Sequence, residues 1–404
     1  MDYKKILSLI NEIKKISNYD KGKFNLNFRW SIVNNNKELK FKSNHDRIKF
    51  KDTIREIWQS DKKIYDTISE KRIEYEIFNL IVMSFENEIE IKIENVKNIF
   101  KSLLSLPNFE WTAFKQIYGI TMNSVDPLQI GEFTIYNWNK HKKKLAQEYP
   151  KIKWEDNDNK HFIKVKVKAR DKDRVKGLIN NKFIQFENII TYMIGDIDHI
   201  YSDIAIFNYI SPSYERTILV SDYCSSSIME LNRGVRDFDL EDNCFKSDEF
   251  GNQMIWEIAQ KSNNSTSDIE RRLLASIEWI GKGLKDLDDN KAFIQFIFAI
   301  EALLQLNDKG IVSPSIASQI SEYAAFIIYD ELENRIKIEK TIKNLYSKRS
   351  AIAHGRNQLI SKKDLNSVLF IASVLVKKIL TLPDFKDIKS FTDIQMWVKN
   401  KKYS

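Results

Sequence analysis

The stretch SDIERRLLASIEWIGKGL, Ser267–Leu284, decides how the second half of this chain folds. It opens on Ser267 with Glu270 three residues on, a capping box in which an Oγ acceptor and a carboxylate serve the free N–H groups of a first helical turn. One helix is expected over Ile269–Leu287. The residues just before it, Lys261-Ser262-Asn263-Asn264-Ser265-Thr266, are small, polar and linker-like. Downstream, the apolar spacing predicts further helices over Lys291–Leu306, Ser313–Tyr329 (Pro314 in its first turn), Glu333 to about His354, and Lys362–Leu382. Short polar joints between them are those of an antiparallel bundle. A short last helix is expected within Phe385–Ser404, anchored by Trp397.

Upstream the pattern is mixed. Helical spacing marks Lys5–Ile16, Lys63–Phe85 and Ile91–Leu106, the last ending before Pro107. Phe24–Phe50 alternates, with Asn34-Asn35-Asn36 as a turn. Gln129–Trp138 and His161–Lys168 read as half-buried strands; Ile163, Val165 and Val167 share one face, Lys164, Lys166 and Lys168 the other. A helix is expected from Asp171 through Phe183–Met193, then strands at Ile200–Tyr209 and Arg216–Asp222. The expected fold class is therefore an α+β N-terminal region followed by an all-α C-terminal bundle. Three segments are drawn: 1–110, mixed and mostly helical; 111–260, an α+β module expected to act as a sensor; and 261–404, the bundle.

Composition agrees with long helices. Among 404 residues there are only 11 Gly and 6 Pro, which argues against a β-sandwich, a collagen or a Gly-rich phosphate loop. Neither Gly-x4-Gly-Lys-Ser/Thr nor Gly-x-Gly-x-x-Gly occurs, so no nucleotide cofactor is expected. The net charge of +8 favours an anionic partner. Two cysteines, Cys224 and Cys244, allow neither a disulfide framework nor a Cys-rich zinc site. With no signal-peptide pattern and no apolar run of membrane length, a cytoplasmic protein without a membrane partner is expected.

The chemistry concentrates in LYSKRSAIAHGR, Leu345–Arg356, where Arg349 and His354 are separated by four residues. From Arg335 to Lys378 there are eleven Lys or Arg and only two acids, Glu339 and Asp364. A guanidinium grips phosphate through two donors, and an imidazole moves protons near neutral pH. On an ideal helix the two residues stand about 140° apart. Either the helix breaks between them, as Gly355 in a C-cap position suggests, or another surface completes the site. The helix FAIEALLQ, Phe298–Gln305, carries Glu301 in an otherwise apolar run, and that carboxylate needs a buried partner. Arg349 is the natural one.

These segments, ERRLLASIEWIG (Glu270–Gly281), FAIEALL (Phe298–Leu304) and LYSKRSAIAHG (Leu345–Gly355), resemble the HEPN domain, most closely its ApeA-like group. The resemblance covers 268–382 and implies a metal-independent endoribonuclease, active as a homodimer whose two motifs face one composite cleft. In that likeness Arg349 grips the scissile phosphate, His354 acts as acid or base, and Glu301 orients Arg349. Ser350, where the family usually has another polar residue, keeps a hydrogen-bonding role. Tyr346 lines the cleft or simply packs as an aromatic. Lys348, Arg356, Lys362 and Lys363 hold the RNA backbone, or Lys362 and Lys363 merely solvate a loop. The implied products are a 2′,3′-cyclic phosphate and a 5′-OH. Such an arrangement is similar to bacterial anti-phage, abortive-infection or toxin nucleases that cut RNA, tRNA among the candidates, with a phage-derived trigger sensed by the N-terminal region. The alternatives are a HEPN module that binds RNA or protein without cutting, and a toxin held by an antitoxin.

Other clusters carry less. Gly195–His199 reads as a solvated acidic turn rather than a metal site, and Asp156–His161 lacks the glycine of a calcium loop. Lys140–Lys144 reads as a solvated basic face, or as a second strip for an RNA backbone. No metal and no cofactor is expected.

Overall fold

The computed structural model describes residues 1–19, 30–34, 36–152, 161–195, 204–207, 214–220, 225–231, 237–241, 248–261, 265–305, 316–355 and 358–403. It is mostly helical, with an α+β N-terminal region and a helical C-terminal region. The chain forms two compact units, Met1–Ala113 with Lys166–Asn181, and Phe114–Val165 with Lys182–Ser404. This partition differs from three consecutive segments, since residues 166–181 return to the first unit.

The first unit begins with α1 (Tyr3–Lys15), capped by the Asp2 carboxylate. Strands β1 (Ser17–Tyr19), β2 (Ser31–Asn34) and β3 (Lys37–Phe41) follow, in the antiparallel order β1-β3-β2. Asn36 turns the β2–β3 hairpin at φ +61°, a conformation Asn tolerates. Then come α2 (Asn44–Gln59), α3 (Lys62–Thr67), α4 (Glu70–Glu86) and α5 (Ile93–Ser105). Two expectations are corrected here. Residues 44–50, read as the end of an alternating, turn-rich stretch, are the start of α2, because the Ser43 hydroxyl accepts from the Asp46 N–H. The helix over 63–85 is two helices: Ile68 is extended and Ser69 caps α4 through the Arg72 N–H. The apolar period runs across that break, so spacing alone hides it. The core holds Ile6, Ile10, Phe41, Phe50, Ile54, Phe78 and Phe100. Residues 166–181 belong with it through hydrogen bonds: Asp171 accepts the Ser69 N–H (2.8 Å), and the Arg170 N–H donates to the Thr67 carbonyl (2.9 Å).

Next along the chain lie β4 (Phe109–Ile117), β5 (Ile120–Thr121), β6 (Leu128–Ile130), β7 (Phe133–Asn137), α6 (Trp138–Glu148), β8 (His161–Ala169) and α7 (Lys172–Ile194). The sheet order is β4-β8-β7-β6. In β8, Ile163, Val165 and Val167 are buried while Lys166 and Lys168 are exposed, the expected alternation. The run Gln129–Trp138 is a hairpin rather than one strand, because Gly131 turns at φ +56°. Trp138 instead starts α6, where the basic run sits; His141 and Leu145 face inward, and Lys142, Lys143 and Lys144 are exposed. Then follow β9 (Tyr214–Val220), β10 (Ser225–Leu231), β11 (Phe238–Asp239) and α8 (Asn252–Gln260). Strands β9 and β10 pair in antiparallel register, and β11 pairs parallel with β5. Of the strand expected at 200–209, only 204–207 is described, with one bridge from Ala205 to Tyr118. The clusters at 196–199 and 156–160 lie outside the described residues.

The helical region contains α9 (Asp268–Lys285), α10 (Asp289–Leu304), α11 (Ile316–Ile328), α12 (Leu332–Ala353), α13 (Lys362–Thr381) and α14 (Phe391–Tyr403). The capping box forms as its sequence demands: Glu270 N–H donates to Ser267 Oγ (3.2 Å), and Ser267 N–H donates to Glu270 Oε2 (2.8 Å). Gly283 has no Cβ because the Phe296 ring occupies that space, which brings α9 and α10 close together. Phe293, Phe296, Ile297, Ile300 and Leu304 of α10 are fully buried, as are Val368, Ala372 and Leu375 of α13. Pro314 lies outside the described residues. Helix α14 is held by buried Phe391, Ile394 and Val398, with Trp397 half-buried and its Nε1 donating to Asp384 (3.0 Å). No described helix is long and apolar enough to cross a membrane.

Candidate anion-binding site

Helix α10 is apolar nearly all round, and Glu301 interrupts it with a side chain 13% exposed. Burial pushes its carboxyl above the usual Glu range, and the nearby Arg349 charge opposes that push. Helix α12 supplies Arg349. Ile338, Ile342, Leu345 and Tyr346 turn into the core, and Arg349, one turn beyond Leu345 and Tyr346, faces the same way.

Arg349 Nη2 lies 3.6 Å from Glu301 Oε1. That distance makes an ion pair and is too long for a hydrogen bond. The guanidinium carbon sits 5.9 Å above the centroid of Phe298, which precedes Glu301 by one turn. Among the described residues nothing accepts a hydrogen bond from the Arg349 side chain, although its side chain is only 34% exposed. The Tyr346 hydroxyl is buried and close enough to Glu301 for burial and that charge to raise its pKa, yet it makes no hydrogen bond of ordinary geometry. The site therefore holds a planar guanidinium fork, one-third exposed and without a hydrogen-bond acceptor among the described residues, beside one carboxylate and a buried hydroxyl. Such a fork matches the geometry of a carboxylate or a phosphate.

The other candidates sit less centrally. Helix α12 runs unbroken through Ala353, so no break separates Arg349 from His354. His354 is instead the C-cap residue, its N–H donating to Ser350 O (3.1 Å), with Gly355 at φ +71° closing the helix. Its ring is exposed, and no described contact joins it to Arg349. Ser350 is exposed on the same last turn. Lys348 pairs with Asp364 Oδ1 at 2.6 Å, fastening α12 to the capped start of α13. Lys362 is exposed and 3.6 Å from Asp289; Lys363 is exposed; Arg356 lies outside the described residues.

The basic window also changes meaning in three dimensions. Lys337 pairs with Glu333, Lys343 with Glu339, Lys348 with Asp364, Arg349 with Glu301 and Lys362 with Asp289. Glu333, Glu301 and Asp289 stand outside the window in sequence. These three carboxylates offset part of the charge excess of 335–378, and the larger part of it stays positive. Sequence reasoning did not single out Phe298 as the ring under Arg349; the available signal was an aromatic three residues before the lone acid.

The helical C-terminal region thus carries an Arg349–Glu301 ion pair laid over Phe298. Comparison with family models, with curated proteins and with solved structures gives no match.

Proposed function

We propose that the chain is a HEPN-type endoribonuclease, cutting RNA without a metal ion. The observation that carries the reading is the Arg349 guanidinium: held by Glu301 at 3.6 Å, laid over Phe298, and unbonded by any described residue. In this reading Arg349 binds the scissile phosphate and stabilises the charge that grows on it when the ribose 2′-oxygen attacks phosphorus. The 2′-OH gives up its proton, the P–O5′ bond breaks, and the 5′-oxygen takes a proton. Each chain has one motif imidazole, and Arg349 and His354 do not meet within one chain. Two chains of a homodimer then supply a complete set, His354 of one working beside Arg349 of the other. The N-terminal α+β region senses a trigger, a phage-derived one if the protein serves bacterial defence.

The test is purified full-length protein with total RNA in chelator, beside His354→Ala and Arg349→Lys. Cyclic-phosphate ends with wild type, and their loss in both variants, are the expected result. Equal cutting by His354→Ala removes the assignment. One observation favours a second reading, a module that binds RNA without cutting: the exposed His354 has no partner group beside it among the described residues. That reading predicts RNA binding with no cleavage by any form of the protein.

A further inference from the structure

Tyr346 stands three residues before Arg349 on α12, a spacing that makes the two side chains neighbours on one face. The residue is 8% exposed, and its hydroxyl is sealed from solvent without a hydrogen bond of ordinary geometry. Phe would fill the same space without that hydroxyl. A buried donor left unmade is costly, and buried hydroxyls as a rule have a partner.

The acceptor within its reach is Glu301, whose charge helps to raise the Tyr346 pKa and whose own raised pKa the hydroxyl opposes. Glu301 turns Oε1 toward Arg349. The last torsion of a Glu side chain is soft, so a small rotation brings a carboxylate oxygen to the hydroxyl. Among the described residues the charged or titratable groups that bear on Glu301 come from α12 alone, Arg349 and Tyr346. Helices α9, α11 and α13 pack on α10 too. Of their charged groups, Arg272 comes to the end of α10 and is taken there by Asp268 and the Gln305 carbonyl. Hydroxyl, carboxylate and guanidinium thus form one chain, its outer members on α12 and its middle on α10.

We propose that Tyr346 is a positioning residue of the Arg349 site: its hydroxyl donates to Glu301, keeps that carboxylate ionised and turned toward Arg349, and so sets the pH below which the guanidinium loses its anchor. The proposal rests on the nuclease reading for the use made of Arg349, and adds control of that site by protons. A donor to the charged form of a carboxyl favours that form. Without the hydroxyl, Glu301 takes up its proton at a higher pH and lets Arg349 go. At pH values above that point the carboxyl is ionised with or without the hydroxyl, and Arg349 is held in both cases. A Tyr acting as general acid would instead be missed at every pH, and a ring that only packs would move no pH profile.

The test compares full-length wild type, Tyr346→Phe, Glu301→Gln and the double variant in urea melts between about pH 4 and pH 9. The stability that protonated Glu301 contributes should persist about one pH unit higher in Tyr346→Phe than in wild type, and that shift should vanish with Gln at 301. RNA cleavage under chelator should move with it. On the acid limb Tyr346→Phe should cut about tenfold less than wild type, and it should cut equally well once both carboxyls are ionised. A loss of stability that is uniform in pH, and the same with Glu or Gln at 301, makes Tyr346 a packed aromatic and overturns the proposal. A cleavage profile that stays in place while the melts shift overturns it too, since the hydroxyl then acts on Glu301 without reaching Arg349. If wild type cuts no RNA, the nuclease reading falls; the link from Tyr346 to Glu301 stands if the melts shift and falls if they do not.

Discussion

Arg174 and Arg349 each lie over aromatic rings, one in each unit, and are used differently. Arg174 sits 5.3 Å from the Trp58 centroid and 4.9 Å from that of Tyr65, and its Nε donates to the Asp66 carbonyl (3.3 Å). Burial lowers its pKa, and its side chain ties the first turn of α7 to α2 and α3. Arg272 behaves likewise inside the bundle. It lies 4.9 Å from Phe391, donates to Asp268 (3.1 Å), and gives Nη1 to the carbonyls that end α10, including Gln305 O at 3.0 Å. Arg349 has a ring and a carboxylate but no hydrogen bond from any described residue. An aromatic ring under a guanidinium therefore does not separate the three; what separates Arg349 is that no described residue accepts a hydrogen bond from it.

That contrast can be broken most sharply by activity. Arg349→Lys should cost at least about 100-fold in RNA cleavage while the unfolding midpoint stays near wild type, because a point charge lacks the fork. A fully active Lys variant, scored by gel under chelator, would remove Arg349 from the phosphate. The next largest effect should be on stability. Arg272→Ala should lower the unfolding free energy by about 2 kcal/mol, read from urea melts, since it leaves helix-end carbonyls without their charged donor. Arg349→Ala should cost less than about 1 kcal/mol in the same melts, because its pair is partly exposed and long. Similar losses for the two would erase the distinction.

Two smaller effects depend on pH. Burial raises the Glu301 pKa above its ordinary value of 4.5, so the folded state holds that proton more tightly than the unfolded chain. Its stabilising contribution is fully present below about pH 4.5 and disappears as pH rises through the raised value. Glu301→Gln should flatten that part of a stability–pH profile and loosen Arg349, seen as a higher KM for RNA. Burial lowers the His161 pKa below its ordinary 6.5, the opposite case. Its contribution is present above about pH 6.5 and declines as pH falls through the depressed value. His161→Gln should remove that decline, the weakest signal of the set.

Much of the fold was legible. The capping box at Ser267, the alternation of β8 and the end of α5 before Pro107 are local rules, and each acts through neighbours in sequence. The break at Ile68–Ser69 and the hairpin at Gly131 were not legible as such. Both interrupt an apolar period without changing it, and one cap or one positive φ decides them. For the site, the Glu301–Arg349 pair followed from a simple demand, that an acid in an apolar helix find a cation. That Arg349 and His354 stand on different sides was legible as well, because a helix turns residues five apart about 140° from each other; the structure adds that the helix does not break between them.

The sequence by itself determined where the helices of the bundle begin, which faces they bury, and that Glu301 needs Arg349. Those are short-range consequences of periodicity, capping and the cost of burying charge. Only the tertiary structure decided that Glu333, Glu301 and Asp289 pair with cations of the basic window, that residues 166–181 return to the first unit, and that Trp279 and Lys282 continue the contacts begun at Arg349. The physical reason is range. Charge and stacking act through space over a few ångströms, and helices α9, α10 and α12 bring together residues that stand some seventy positions apart in the chain.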